Sequence, residues 1–266
     1  MTKTLALLAP VALAAGLSAC HTTAAPDSGY LGGYSDMTAQ KRGMGANVRQ
    51  SRDDAASDAV TAVFLEPAVF APAVGERLTD VERAMVLREV DRQICYEVSE
   101  RFNVVTAPSP DAARVRTAVV RLHHTGRFGS AASVAAGYFV PVINLRVPGQ
   151  TGGLAIESEM LDARSGRQIA SIAWARNAQW VGRDSPSLSR VGDVLQMAEP
   201  LGDAVGDAFS TSSREVTENP DPDPCAAFGS RNNLGRDAAS FAFGFATGLY
   251  SPEVAGTGAR RAPPQR

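Results

Sequence analysis

The sequence has few of the residues on which several large classes of protein depend. Three cysteines and three histidines occur among its 266 residues, too few for a dense disulfide scaffold or a multi-histidine metal enzyme. Lys3 and Lys41 are the lysines of the chain, and a formal net charge of −2 provides no basic excess for binding nucleic acid. The hydrophobic fraction of 44% is ordinary, so the chain can bury a core and is not wholly disordered.

Common catalytic motifs are also missing. The patterns Gly-x-Ser-x-Gly, Gly-x-x-x-x-Gly-Lys and His-Glu-x-x-His do not occur. His123 and His124 are adjacent, so on a strand they point to opposite faces and cannot chelate one ion. Glu157 and Glu159 could imitate a catalytic carboxylate pair, but on a hairpin we expect them to form its solvated face. The sequence therefore predicts no catalytic residue, no metal site, no cofactor and no enzymatic activity.

The N-terminus indicates the cellular compartment. Lys3 precedes an apolar segment from Leu5 to Leu17, which is too short to span a bilayer and is typical of a signal peptide. The tetrad Leu17-Ser18-Ala19-Cys20 then resembles the bacterial lipobox. This resemblance implies that residues 1–19 are removed and that Cys20 carries acyl chains such as palmitate. An ordinary export signal with an incidental cysteine, or a short buried helix, remains an alternative.

The residue after Cys20 concerns membrane sorting. It is His21, whereas an Asp there retains lipoproteins at the inner membrane of enteric bacteria. We therefore expect an outer-membrane location, facing the periplasm.

Composition divides the mature chain into three parts. Residues 20–58 are polar and rich in small residues, which predicts a flexible, lipidated tether. Residues 59–212 carry the periodic apolar patterns of a folded domain, and residues 213–266 are predicted to be an irregular tail. Within the tether, the segment Ser28–Ser35 contains two tyrosines and either docks on the domain or remains a sticky linker.

Local signals predict the elements of the domain. Val60–Leu65 is a strand, and Thr79 with Glu82 forms a capping box at the start of a long helix. Its buried stripe is predicted to consist of Leu87, Val90, Ile94 and Val98.

Further along the chain, a second strand covers residues 115–124, and residues 154–162 and 169–175 form a β-hairpin turning at Ser165-Gly166. A second helix covers residues 187–209, where Pro200 must kink or split it. The order of elements predicts an α+β fold in which two main helices cover one face of a mostly antiparallel sheet.

The remaining cysteines predict a disulfide bond. Once lipid occupies Cys20, Cys95 and Cys225 are left in an oxidising periplasm, where pairing is the default. The alternative is a buried free Cys95 with an exposed Cys225.

One apolar segment interrupts the tail. Residues 238–250 contain Gly244 and Gly248 in a Gly-x-x-x-Gly pattern but are too short to span a membrane. The segment packs on the domain, or it contacts a partner or the bilayer surface.

Several segments resemble one family of bacterial envelope lipoproteins, the domain of unknown function 3313. The likeness is found at residues 152–159, 172–176 and 189–193, and at Ser28–Ser35, where Tyr30 takes the place of a family phenylalanine. It extends over about residues 28–209. The resemblance implies an envelope lipoprotein and brings no established substrate, cofactor or catalytic residue.

These observations predict an outer-membrane-anchored periplasmic lipoprotein that acts as a non-enzymatic interaction or structural module. Its expected partners are the membrane, through Cys20, and another envelope protein, but no nucleic acid. The alternative is a periplasmic ligand-binding or transport accessory lipoprotein with an apolar pocket between helix and sheet. A hydrolase of unrecognised type is a third hypothesis. A deep pocket that holds His123, Glu157 or Glu159 near one another would favour the latter two hypotheses, and a filled core with an exposed apolar patch the first.

Overall fold

A central sheet organises the molecule. The structure is a computed structural model that describes residues 22–40, 45–126, 144–145, 151–178, 181–182, 185–218, 220–229, 231, 234–247 and 249–256. The predicted signal peptide and Cys20 lie outside these residues. The strands are β1 (Thr38–Gln40), β2 (Asn47–Arg52), β3 (Ala62–Leu65), β4 (Val69–Phe70), β5 (Asn103–Val105), β6 (Ala113–His123), β7 (Asn144–Leu145), β8 (Gly153–Leu161), β9 (Gln168–Asn177) and β10 (Val181–Gly182).

Eight of these strands form one sheet in the order β1-β2-β9-β8-β6-β3-β5, with β4 beside β6. The ladders from β1 to β6 along this order are antiparallel, whereas β3 pairs in parallel with β5 and β6. β7 and β10 pair separately. The predicted hairpin is confirmed as β8 and β9, and Gly166 takes the positive φ of +69° that its turn requires.

The described part of the chain has five helices beside the sheet: α1 (Asp54–Ala59), α2 (Asp80–Ser99), α3 (Gly192–Phe209), α4 (Leu234–Thr247) and α5 (Pro252–Ala255). The predicted capping box is present at the start of α2, because the Thr79 hydroxyl accepts from the Glu82 amide and the Glu82 carboxylate accepts from the Thr79 amide. Val90, Ile94 and Val98 are buried as expected. The predicted place of Leu87 in the stripe is wrong, because a regular spacing of four brings Val86 into the core and leaves Leu87 half-buried at its edge.

The two long helices pack closely against each other. A Cβ atom added at Gly202 would lie 2.7 Å from the Gln93 carbonyl oxygen, and one at Gly206 would lie 2.9 Å from the Arg101 guanidinium. Pro200 lies inside α3 but does not split it, since thirteen of its 18 residues are buried and tertiary packing compensates for the lost backbone bond.

Strand alternation gives the sheet two different faces. Large side chains such as Ile156, Met160 and Trp174 belong to the core shared with α2 and α3. The opposite face is lined by alanines and is covered by residues 22–37, which we call the N-terminal arm. The alanine-lined face allows the arm's backbone to approach closely. The fold is thus α+β, with the two main helices on one face of the sheet.

The predicted flexible tether of residues 20–58 requires correction. Asn47–Arg52 is strand β2, which pairs with β9 along six residues, and Val48 is buried on the helix face. The N-terminal arm also packs on the sheet. Both segments appear polar because their side chains and backbone bond to the sheet instead of filling an apolar core. The folded domain therefore begins well before residue 59.

The predicted irregular tail, residues 213–266, is also corrected in part. It contains a 3₁₀ turn, Ala226–Phe228, and helix α4, which spans most of the apolar segment. The predicted disulfide is confirmed: Cys95 on α2 is bonded to Cys225, their Cα atoms are 5.9 Å apart, and both residues are buried. Among the described residues, the structure has no helix long and apolar enough to cross a membrane.

Candidate functional site

A pair of glutamates is buried between the sheet and the N-terminal arm. Glu157 and Glu159 project from β8 on the arm side and are fully inaccessible to solvent. The predicted solvated face is therefore wrong. The residues that bury these carboxylates lie about 130 positions away in the chain, so the local hairpin pattern could not reveal them.

Glu157 is bonded entirely to the arm. One of its carboxylate oxygens accepts from the Ser28 amide at 3.2 Å, and the other accepts from the Ser28 hydroxyl at 2.5 Å and the Tyr34 hydroxyl at 2.9 Å. The Tyr34 oxygen in turn accepts from the amides of Gly29 at 2.9 Å and Leu31 at 3.2 Å. Burial raises the pKa of Tyr34, so its hydroxyl retains the proton that it donates.

Glu159 connects the arm to the neighbouring strands. It accepts from the Arg116 guanidinium at 2.5 Å, the Gly32 amide at 2.8 Å and the Gln168 amide group at 2.5 Å. Arg116 also donates to the Tyr30 carbonyl at 2.8 Å and lies 4.8 Å from the centre of the Tyr30 ring. Burial raises the pKa of Tyr30 to about 12, although Arg116 opposes that shift.

This arrangement locks the arm in place. Both oxygens of Glu157 and of Glu159 accept hydrogen bonds, so neither carboxylate is open to a substrate while the arm is bound. The sequence left docking and a flexible linker open for Ser28–Ser35, and the structure confirms docking. The feature of the sequence that indicated docking was the presence of two tyrosines among serines and glycines.

Arginines hold the first residues of the arm. Arg121 donates to the carbonyls of Thr23 and Ala24, each at 2.7 Å. Arg49 donates to the Ala25 carbonyl at 3.2 Å and pairs with Asp27. The arm is therefore attached at several points along its length, starting with its first described residues.

The adjacent histidines, which were not expected to chelate one ion, lie at the end of a strand. His123 and His124 are both exposed at the end of β6, and the pKa of His123 is lowered by partial burial and by Arg121 and His124. Among the residues that the structure describes, no group of three histidine, cysteine or acidic residues could hold a metal ion.

A small pocket lies between α2 and strands β6, β3 and β5, at the β5 edge of the sheet. It has a volume of about 230 Å³, and its apolar walls include Phe64, Ile94, Val104 and Phe228. Asp91 also lines it and accepts from the Ala68 amide at 2.8 Å.

Burial raises the pKa of Asp91 to about 6, although the Ala68 amide and Arg88 oppose the shift. Asp91 was not predicted from the sequence as a pocket residue. The feature that could have indicated it is the position of this acidic residue directly after Val90, beside the apolar stripe of α2.

Comparison with known families agrees with the resemblance found in the sequence. A family model described as a protein of unknown function (DUF3313) matches residues 26–205. The chain belongs to the DUF3313 family. This match includes most of the N-terminal arm, the whole main sheet and most of α3, so the arm belongs to the family's matched region. None of the curated proteins matches the sequence of this DUF3313 chain.

Solved structures that match the chain include the PelC dodecamer from Paraburkholderia phytofirmans in space group P6. It is 11% identical, has a TM-score of 0.39, and the match covers 62% of this chain and 98% of that chain. A substituted PelC dodecamer from the same organism, in space group C2, is 12% identical with a TM-score of 0.36, covering 63% and 98%. Similarity of this extent supports no statement about the function of the DUF3313 chain.

Proposed function

We propose that the protein is a lipoprotein of the outer membrane, anchored to the periplasmic leaflet through acyl chains on Cys20. Its folded domain would act there as a non-enzymatic interaction or structural module that binds another envelope protein. The lipobox-like tetrad before His21 supports the anchor, and the absence of Asp at position 21 supports outer-membrane sorting.

The docked N-terminal arm is the observation that carries this proposal. The Thr22 hydroxyl accepts from the Asn177 amide at 3.4 Å, and the Thr22 carbonyl accepts from Asn47 at 3.5 Å. By covalent geometry, Cys20 lies within about 7 Å of Thr22, because two residues span at most 3.6 Å each. An acylated Cys20 would therefore hold the domain directly against the membrane.

The same arm supports a non-enzymatic role. The buried carboxylate of Glu157 accepts hydrogen bonds from the arm, and that of Glu159 accepts them from the arm, Arg116 and Gln168. A carboxylate that serves as a general acid or base must reach the proton it transfers, which the docked arm prevents here. The geometry thus favours a role for the pair in fixing the domain at the membrane.

The anchor can be tested by comparing the wild type with Cys20→Ala and the matched variant His21→Ala. We expect acyl modification of Cys20 by mass spectrometry in the wild type and in His21→Ala, with both proteins in the outer-membrane fraction. The Cys20→Ala variant should be unmodified and uncleaved. In an enteric host, His21→Asp should move the protein to the inner membrane. An unmodified N-terminus elsewhere in the wild type contradicts the proposal.

A second candidate function rests on the pocket beside Asp91. An apolar pocket that is also lined by the acidic residues Asp91 and Glu66 fits a small hydrophobic ligand with an amine or another hydrogen-bond donor. Benzylamine is a suitable probe, and its titration should shift the NMR signals of the Ala68 and Val104 amides. The Ile94→Phe variant, which fills the pocket, should abolish those shifts. Unchanged wild-type signals at millimolar benzylamine would count against this function.

A further inference from the structure

Helix α4 exposes two aromatic rings. Phe241 and Phe245 are 76% and 86% exposed, the highest values among the large exposed hydrophobic residues of the described chain, and their ring centres are 6.3 Å apart. Phe243, on the other side of the helix, lines a groove of about 390 Å³ together with Met85 and Leu188 of the domain. One side of α4 therefore faces the domain, and the phenylalanine pair points away from it.

The end of α4 is fixed beside the beginning of α3. The Tyr250 amide donates to the Pro186 carbonyl at 2.8 Å, and the Ser187 hydroxyl donates to the Tyr250 carbonyl at 2.9 Å. Ser187 packs tightly against Gly192, the first residue of α3, where an added Cβ atom would lie 2.2 Å from the Ser187 hydroxyl. The aromatic helix thus belongs to this end of the domain.

The chain enters the domain at the same end. Close to the start of α3, the Asp193 carboxylate accepts from the Gly152 amide at 2.7 Å, and the Gly152 carbonyl accepts from the Ala178 amide at 2.9 Å. The preceding residue, Asn177, bonds Thr22 through its amide. A short series of hydrogen bonds therefore connects the first residue of the N-terminal arm with the region that holds α4.

After its first turn, which contains Arg236 and Asp237, the composition of α4 suits lipid better than a protein partner. No charged residue occurs from position 238 to position 250, where alanine, glycine and phenylalanine predominate. Leu188, on the adjoining surface, is also 50% exposed. Protein interfaces surround an apolar centre with a polar rim, whereas charged groups are costly inside a bilayer.

We propose that the Phe241–Phe245 face of α4 lies in the periplasmic leaflet of the outer membrane as a second, non-covalent membrane contact. This inference rests on the proposed anchoring at Cys20. Two contacts at one end of the domain would fix its orientation, since acyl chains alone hold it at a single point. An interfacial helix with buried aromatic side chains lies in the plane of the membrane and need not span it.

The depth of α4 can be measured by spin labelling of the full, lipidated chain. Nitroxide labels are attached to Phe241→Cys and, separately, to Phe245→Cys, and the proteins are reconstituted in vesicles of phosphatidylethanolamine and phosphatidylglycerol. Val216→Cys is the matched control. Val216 is 48% exposed, and the adjoining Thr217 bonds Glu100 beyond the far end of α2. Collisions with oxygen and with a water-soluble nickel chelate report the environment of each label.

We expect the labels at 241 and 245 to be several-fold more accessible to oxygen than to nickel, and the label at 216 to show the reverse. Aqueous behaviour at all three positions in acylated protein overturns the inference while leaving the anchor intact. Strong spin–spin broadening at 241, the sign of a second copy, overturns it as well. Mass spectrometry of the same samples checks Cys20, so failure of the anchor is recognised separately.

Discussion

Removing the hydroxyl of Tyr34 is the most direct test of how the N-terminal arm is held. Tyr34→Phe removes that hydroxyl while keeping the ring. The Glu157 carboxylate then loses one of its three donors, and the amides of Gly29 and Leu31 lose their acceptor. The bonds of the Tyr34 hydroxyl to Glu157 and Leu31 are partly buried, so water does not fully replace them, whereas the exposed Gly29 amide can bond water instead.

The magnitude follows from the charge of the acceptor. A hydrogen bond to a charged group contributes about 1.5–3 kcal/mol, and a buried group left unsatisfied costs a similar amount. We therefore expect the arm to detach roughly 10- to 100-fold more often in Tyr34→Phe, since 1.4 kcal/mol corresponds to a factor of ten. In a Glu157→Gln background the same change should cost less, because the charged acceptor is gone.

Amide hydrogen exchange measures this detachment directly. Protection of the Ser28 and Gly32 amides, whose acceptors Glu157 and Glu159 remain in the variant, should fall by the stated factor, whereas amides of the central strands should change little. Tyr30→Phe is the matched control, because Tyr30 contacts Arg116 through its ring and carbonyl and not through its hydroxyl. If the two variants exchange alike, the Tyr34–Glu157 bond does not hold the arm.

Three further predictions concern the core and the pocket. Gly202→Ala should destabilise the protein by about 1–3 kcal/mol in chemical denaturation because its methyl group meets the Gln93 backbone; Gly244→Ala, with only an ordinary contact, should not. Ile94→Ala should cost about 2–5 kcal/mol, more than Leu87→Ala at the half-buried edge. The pKa of Asp91 is raised to about 6 in the folded state, so its contribution to stability should be present below about pH 4 and be lost as pH rises through 6. The difference in unfolding free energy between wild type and Asp91→Asn should follow that course.

Elements specified by neighbouring residues could be predicted from the sequence. The capping box of Thr79 and Glu82, the four-residue spacing along α2 and the turn at Gly166 all act within a few positions. The disulfide was also predictable, because Cys95 and Cys225 are the one possible pair once Cys20 is assigned to lipid. The prediction of Leu87 as a buried residue was wrong by one position. Both Val86 and Leu87 are apolar and lie three or four residues before Val90, so the spacing alone did not decide which of them is buried.

The features that could not be predicted depend on distant contacts. The buried pair Glu157 and Glu159 has the alternation of an ordinary exposed strand face. The arm that covers it is distant in the chain, with a sequence separation of 129 residues between Ser28 and Glu157. Strand β2 was missed for the same reason. Its sequence carries one buried apolar residue, Val48, and its other residues owe their strand conformation to pairing with β9.

The disulfide gives the last prediction, because it fixes the segment that closes the pocket beside Asp91. Pro224 and Phe228 lie on either side of Cys225 in the chain and line the pocket. The bond from Cys225 to Cys95 therefore holds both residues beside α2. Arg231 also contacts this region, since it lies 4.5 Å from the Tyr96 ring centre and pairs with Asp223. Losing the bond should therefore loosen the segment without removing every contact.

Two measurements separate the constraint on the chain from the packing of the sulfur atoms. Reduction of the wild type keeps both buried sulfurs but opens a link across 130 residues, which the chain-entropy model values at about 4–5 kcal/mol as an upper limit. The double variant Cys95→Ala/Cys225→Ala removes the sulfurs as well and should be less stable than the reduced wild type. If reduction leaves the unfolding free energy unchanged, the bond does not constrain the chain. If the double variant equals the reduced protein, the sulfurs contribute no packing, and the whole effect belongs to the covalent link.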